Sequence, residues 1–183
     1  MSEKPKILHQ SIVSSSRLFT VEAVDFKFSN GVERTYERLV PGGSGAVMMV
    51  AMLDDEHVAI IREFGGGVEE YTLTLPKGAV DLGETLVDAA NRELQEEIGF
   101  AAKKITFLKH MSLSPSYMKS GIDIFLAENL YPSVLEGDEP EPLELIKWPL
   151  ANLHELVMRD DCTEGRSIAA LYLAREYLAN RKT

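Results

Sequence analysis

Three carboxylates, Glu93, Glu96 and Glu97, stand at i, i+3 and i+4 within Thr85 to Ile98, a stretch whose apolar residues recur every three or four places. On a helix advancing roughly 100° per residue, those side chains share one face, about 5–6 Å apart at Cβ. Leu86, Ala89, Ala90, Leu94 and Ile98 make the apolar stripe, and Asp88, Asn91, Arg92 and Gln95 lie opposite. Glu97 projects close to the centre of that stripe, Glu93 lies beside it and Glu96 on its flank. A Glu-rich helix is ordinarily a solvated acidic face, but here the solvent face is elsewhere. Like charges so placed repel, and burying them without partners is costly. A hard divalent cation, Mg²⁺ or Mn²⁺, removes the conflict, because it prefers clustered carboxylate oxygens and neutralises them.

The elements that must hold these acids can be read around them. Thr85 and Asp88 stand in capping-box spacing, and Gly99 suits the left-handed position after a helix. Leu75 to Glu84, with Pro76, Gly78 and Gly83, leads into the helix as a turn whose backbone can approach a ligand closely. Upstream, Leu18–Phe28 and Val32–Val40 are expected to form a hairpin across Asn30-Gly31, in a type I′ turn with positive φ at both. Ala46–Leu53 and His57–Phe64 are expected to form a second hairpin, ended by Gly65-Gly66-Gly67. Strands follow at Lys104–Met111, Asp123–Asn129 and Leu145–Trp148, then a helix from Ala151 and another over Arg166–Asn180. An acidic loop with prolines spans Glu136–Glu144. This order predicts an α+β fold with a mixed β-sheet sandwiched between α-helices and an N-terminal antiparallel β-hairpin. The expected division is an N-terminal extension, residues 1–44, and a main domain, residues 45–183.

Composition narrows the function. The 183 residues are 45% hydrophobic and 26% charged, as in an ordinary globular domain. A net charge of −10 disfavours nucleic-acid binding, although a small phosphate ester can be held where metal ions screen the carboxylates. The longest apolar run, Ala46–Leu53, is far below the roughly 20 residues of a membrane-spanning helix. A single cysteine, Cys162, and an N-terminus without a signal-peptide layout point to the cytoplasm.

Gly78, Glu84, Arg92-Glu93-Leu94, Glu96-Glu97 and Gly99-Phe100 fit the Nudix box, G-x5-E-x7-R-E-U-x-E-E-x-G-U, at every specified position. Chance odds for such a match are on the order of one in a billion per starting point. The chain therefore resembles the Nudix hydrolase superfamily, and its element order is similar to that family's fold. The resemblance implies Mg²⁺-dependent hydrolysis (Mn²⁺ as a substitute) of a nucleoside diphosphate linked to another moiety. It implies Glu93 and Glu97 as main metal ligands, with Glu96 and the Lys77 carbonyl joining them. Glu84 and Arg92 either orient the site or form a stabilising ion pair, and Gly78 is the box glycine. In the ADP-ribose pyrophosphatase group the base tends to come from a loop outside the box, which makes Glu141 the first choice here and Glu139 the second.

Substrate class follows from smaller signs. Pro115, 15 residues after Phe100, resembles the ADP-ribose pyrophosphatases, and Tyr117 resembles a tyrosine of diadenosine polyphosphate hydrolases. Together they imply a broad enzyme for ADP compounds such as ADP-ribose, NADH and diadenosine oligophosphates, releasing AMP. Gly65 after Phe64, and Thr74 four residues before Gly78, depart from narrow ADP-ribose enzymes. Arg62 is either a phosphate contact or an exposed strand residue, and Tyr36 either stacks on adenine or packs in its strand. The alternatives are another nucleotide substrate, such as a nucleotide sugar or triphosphate, or a Nudix-fold sensor that binds without cutting. Relatives of this group are commonly homodimers that exchange N-terminal strands, and the first hairpin is the element here that would do so.

Overall fold

The structure, a computed structural model, describes residues 3–181. The chain folds as two compact units, one of residues up to Gly45 together with Ser112–Gly121, the other of Ala46–Met111 with the residues from Ile122 onward.

The first unit is a three-stranded antiparallel sheet of β1 (Lys6–Ser15), β2 (Thr20–Lys27) and β3 (Glu33–Val40), with β2 central. The expected hairpin forms, with Lys27 opposite Glu33. Its turn differs from expectation. Only Gly31 has positive φ, at 82°, and the Gly31 N–H donates to the Phe28 carbonyl at 2.9 Å. That is a three-residue loop ending in a left-handed glycine rather than a two-residue type I′ turn. β1 was not expected from the sequence. All ten of its residues are exposed, so no buried alternation marks it. Ser112–Gly121 joins this unit through β3: the Leu39 N–H donates to the Tyr117 carbonyl at 2.8 Å, and the Lys119 N–H to the Leu39 carbonyl at 2.9 Å.

The second unit holds two sheets. One is mixed, in the order β7 (Lys77–Ala79), β4 (Ala46–Ala51), β9 (Gly121–Pro132), β8 (Phe100–Ser112), with β4 antiparallel to β7 and parallel to β9. The other is β10 (Glu144–Pro149), β5 (His57–Gly65), β6 (Glu70–Thr74). The hairpin expected between Ala46–Leu53 and His57–Phe64 therefore splays: beyond a single bridge, Met52 to Val58, its strands enter different sheets. β4 is apolar throughout and β5 carries a run of four buried residues, Val58–Ile61, which is the pattern of strands covered on both faces rather than of a two-stranded ribbon.

Alternation along β4 sets the layers. Val47, Met49 and Ala51 pack with Ala89, Ala90 and Leu94 of helix α1 (Leu86–Glu97) in the main core. Met48 points the other way, its Sδ 4.0 Å from Ser167 Oγ on helix α3 (Gly165–Arg181). The mixed sheet is thus sandwiched between helices, as expected. A short helix α2 (Leu153–Val157) lies between β10 and α3. No helix among the described residues is long and apolar enough to cross a membrane.

An ion-pair cluster ties α3 to the sheet. Glu128 of β9 accepts from Arg181 at 2.9 and 2.7 Å, and Lys104 of β8 lies 2.7 Å away. These cations, the Arg181 hydrogen bond first, hold the Glu128 carboxyl down at about 2. A lowered folded value means stability that is present above the ordinary carboxylate range and is lost as pH falls from about 4.5 towards 2. The shift alone sets a ceiling of about 3 kcal/mol, and the half-exposed cations reduce it to about 1–2 kcal/mol. Glu128→Gln is expected to lose that much at pH 7 and little at pH 2, measured by urea unfolding at both values.

Candidate active site

Helix α1 begins as its sequence dictates. The Thr85 hydroxyl oxygen accepts from the Asp88 N–H at 3.1 Å, and Gly99 takes φ 74° just past the C-terminal end. Ala89, Ala90, Leu94 and Ile98 are buried, and Leu86, at 36% exposed, lies at the margin of the stripe. Packing that stripe on β4 turns the acids inward. Glu93 is only 9% exposed, and Glu97 accepts the Lys77 N–H at 2.9 Å on Oε2.

Arg92 gathers the rest. Its Nε and Nη2 donate to Glu84 at 3.0 and 3.1 Å, Nη1 donates to Glu93 and Glu96 at 2.8 Å each, and Nη2 also reaches the Ala79 carbonyl at 2.9 Å. Glu84 in turn accepts the Asp81 N–H at 3.1 Å, which closes the turn before the helix. The Glu84 carboxyl is held below its ordinary range, chiefly by Arg92, and the guanidinium is held more firmly protonated than usual by Glu84 first. Only a planar fork with five N–H groups can serve this many acceptors at once.

Two carboxyls go the opposite way. Burial pushes Glu97 up to about 8; Lys77 pulls it down, while Glu93 and Glu63 add repulsion. Burial also raises Glu93, against the attraction of Arg92. Gly78 lies against Glu93 so closely that a Cβ there would sit 2.0 Å from the carboxyl carbon. Bare backbone at Gly78 and two inward-facing carboxyls whose charge burial disfavours suit a divalent cation: oxygen donors whose charged form a bound cation would favour, with room to reach them. The residues therefore fit such an ion. Among the described residues no three acidic, histidine or cysteine groups stand as a finished cation cage, since Arg92 serves Glu93 and Glu96 itself.

These groups open onto a cleft of about 850 Å³, walled on the far side by the acidic loop, residues 136–143. The loop is anchored to α1 at its start. Leu135 N–H donates to the Gln95 carbonyl at 3.2 Å, and Ser133 Oγ donates to Gln95 Oε1 at 2.7 Å. Asp138 adds its charge to Glu93, and the Glu139 carboxyl is raised by burial, then by Glu63 and Asp138. Glu141 lines the same cleft but accepts a hydrogen bond from the Tyr71 hydroxyl of β6.

The structure thus brings together Lys77, Gly78, Arg92, Glu93, Glu96, Glu97, Glu139 and Glu141, with Glu84 behind Arg92. Arg62 is exposed, with its guanidinium 5.7 Å from the Tyr71 ring centre, and does not line the cleft. Tyr36 packs on Phe26, ring centres 5.7 Å apart, and shares with Tyr117 a cavity of about 450 Å³ inside the first unit.

A Nudix domain pattern matches residues 44–170, and the NudE-type Nudix hydrolase N-terminal domain matches residues 5–38. The chain belongs to the Nudix hydrolase family. It is 52% identical to the ADP compounds hydrolase NudE of Escherichia coli strain K12, over 96% of this chain and 94% of that one. It is 27% identical to an ADP-ribose pyrophosphatase of Bacillus subtilis strain 168, over 91% and 92%. A crystal structure of an ADP compounds hydrolase matches with a TM-score of 0.89 at 49% identity, covering 99% of this chain and 97% of that one.

Two residues beside this Nudix site escaped the sequence reading. Glu63 of β5 pairs with the Lys77 ammonium and stands near enough to Glu97 and Glu139 to raise both. No local pattern singled it out, because Val58, Ala59, Ile60 and Ile61 are all buried and strand parity names no outer face there. Tyr71 was equally unmarked, since β6 is only five residues long and follows a glycine run.

Proposed function

We propose that this Nudix hydrolase cuts the pyrophosphate bond of small ADP-containing molecules, releasing AMP and a second phosphate product. The observation that carries the reading is the pair of inward-facing carboxyls, Glu93 and Glu97, against the bare backbone of Gly78, in a cleft walled by further acids. The NudE relative supports ADP compounds as the substrate class.

Glu93, Glu97, Glu96 and the Lys77 carbonyl would hold Mg²⁺, or Mn²⁺ in its place. An ion held there supplies Lewis-acid chemistry, neutralising pyrophosphate oxygens and making a nearby water more acidic. Arg92, anchored by Glu84, fixes the orientation of Glu93 and Glu96. A loop carboxylate takes a proton from the attacking water, whose oxygen bonds to phosphorus while the anhydride oxygen departs with its electron pair. Of the two candidates, both lining the cleft, Glu141 is engaged by Tyr71, which leaves Glu139 as the better placed base. Glu139→Gln is expected to lower kcat by about 10²–10³-fold and Glu141→Gln by less. A larger loss in Glu141→Gln than in Glu139→Gln, measured by steady-state kinetics, would return the role to Glu141.

The decisive experiment is Mg²⁺-dependent AMP release from ADP-ribose, NADH, diadenosine triphosphate, an ADP-sugar and dGTP. Release of AMP from several ADP compounds, with dGTP inert, is the expected result. Pyrophosphate release from dGTP alone would make the protein a triphosphate hydrolase, and tight binding without turnover would make it a sensor. A homodimer is supported by β1, whose Ile7, Leu8, Ile12 and Val13 are all more than half exposed. The single, buried cysteine supports a reducing cytoplasm.

A further inference from the structure

The acidic loop is fastened at two ends by different chemistry. Its start is tied to α1 through Gln95, and residues 144–149 continue as β10, paired with β5 from Glu144 opposite Arg62. Between these lies a bend at Pro140 and Glu141, where one side-chain hydrogen bond reaches across from β6: the Tyr71 hydroxyl donates to Glu141 Oε1. Prolines on both sides of Glu141 fix φ at residues 140 and 142 and restrict the residues before them, Glu139 and Glu141. Holding the Glu141 carboxylate therefore holds the bend, and with it Glu139.

The donor is itself braced. Phe64 meets the Tyr71 ring edge-to-face with centres 5.3 Å apart, and the Arg62 guanidinium lies 5.7 Å from the ring centre. Phe64 and Tyr71 are paired opposite each other in the β5–β6 register, so the sheet itself sets the ring's position. The phenol is also held protonated beyond its ordinary range by Glu141, as a donor to a carboxylate should be.

We propose that Tyr71 is a positioning residue for the hydrolysis, clasping Glu141 so that the acidic loop keeps Glu139 in the cleft that Lys77, Glu93 and Glu97 line. This rests on the hydrolase reading above for its kinetic consequence, but not for the clasp itself. Tyr71→Phe removes one oxygen and keeps the ring stack. It is expected to lower kcat for ADP-ribose about tenfold, the worth of one hydrogen bond to a charged acceptor, with KM within about twofold. In a Glu141→Ala background the same change is expected to cost nothing further, because Tyr71 acts only through that carboxylate. Losses that multiply, or an unchanged kcat in Tyr71→Phe, would overturn the proposal.

Backbone NMR relaxation decides the clasp independently of turnover. In metal-free protein, ¹⁵N order parameters of residues 136–139 and 141 are expected to fall in Tyr71→Phe, with α1 unchanged. Unchanged order parameters overturn the clasp. If the wild-type protein cuts no ADP compound while the loop still loosens in Tyr71→Phe, the substrate reading fails and the clasp stands.

Discussion

Glu97→Gln is expected to lose turnover on the order of 10³-fold while making the metal-free protein more stable. The loss follows from removing one inward carboxylate oxygen donor: a Lewis-acid contribution of about 4 kcal/mol to the transition state is a factor of about 10³. The gain follows from burial. Glu97 titrates at about 8 when folded and near 4.5 when unfolded, so between those values the unfolded chain releases a proton that the folded chain keeps. Folding of the metal-free protein is therefore penalised increasingly from pH 4.5 upward, levelling above pH 8. Gln carries no such charge and can still accept the Lys77 N–H through its amide oxygen. The variant should match wild type at pH 4 and exceed it by about 1–2 kcal/mol at pH 7.5. Urea unfolding with a chelator present measures this, and a variant less stable than wild type at pH 7.5 would show that the charge of Glu97 is already satisfied by the protein.

Gly78→Ala is the second large effect, and it works through space alone. The added methyl would lie 2.0 Å from the carboxyl carbon and from Oε1 of Glu93, a distance no real contact reaches. Glu93 must swing away, leaving its hydrogen bond to Arg92 Nη1. Metal affinity is expected to fall by at least the roughly 10–100-fold that losing an outer partner of a metal ligand costs, and turnover with it. Stability changes little, since Glu93 was buried against its own charge preference and the backbone of Gly78 needs no unusual φ. Mn²⁺ titration followed by electron paramagnetic resonance would measure the affinity, and binding equal to wild type would place the ion away from Glu93.

Most of the site was legible because it is local. Gly78 to Phe100 is one turn and one helix, and helical periodicity already placed Glu97 inside the apolar stripe before any fold was known. What could not be read was long-range. Glu63 and Tyr71 meet the box and loop residues across 14 and 70 positions of chain, through sheet pairing that no local pattern encodes. The same limit explains the splayed hairpin: an all-apolar strand says that both faces are covered, not which sheet covers them. The outward turn of Arg62 was equally hidden, since both faces of β5 are buried up to Ile61 and alternate exposure begins only at Arg62. The docking of Ser112–Gly121 on β3 rests on main-chain bonds at Leu39, which carry no side-chain signature.

The shortest strand carries an outsized share of this molecule's economy of motion. β7 is three residues at the edge of its sheet, paired with β4 alone and held on its other side by α1 acids. Edge strands of that length are where a fold breathes first. Here the breathing coordinate and the ligand-binding coordinate are the same, because Lys77, Gly78 and Ala79 each touch Glu97, Glu93 or Arg92. Anything bound across Gly78 and Glu93 in the ordered edge alone must therefore damp its fraying, and more so as its concentration exceeds its Kd. Occupancy of this site should be visible from far outside it, as a slowing of the sheet's own fluctuations.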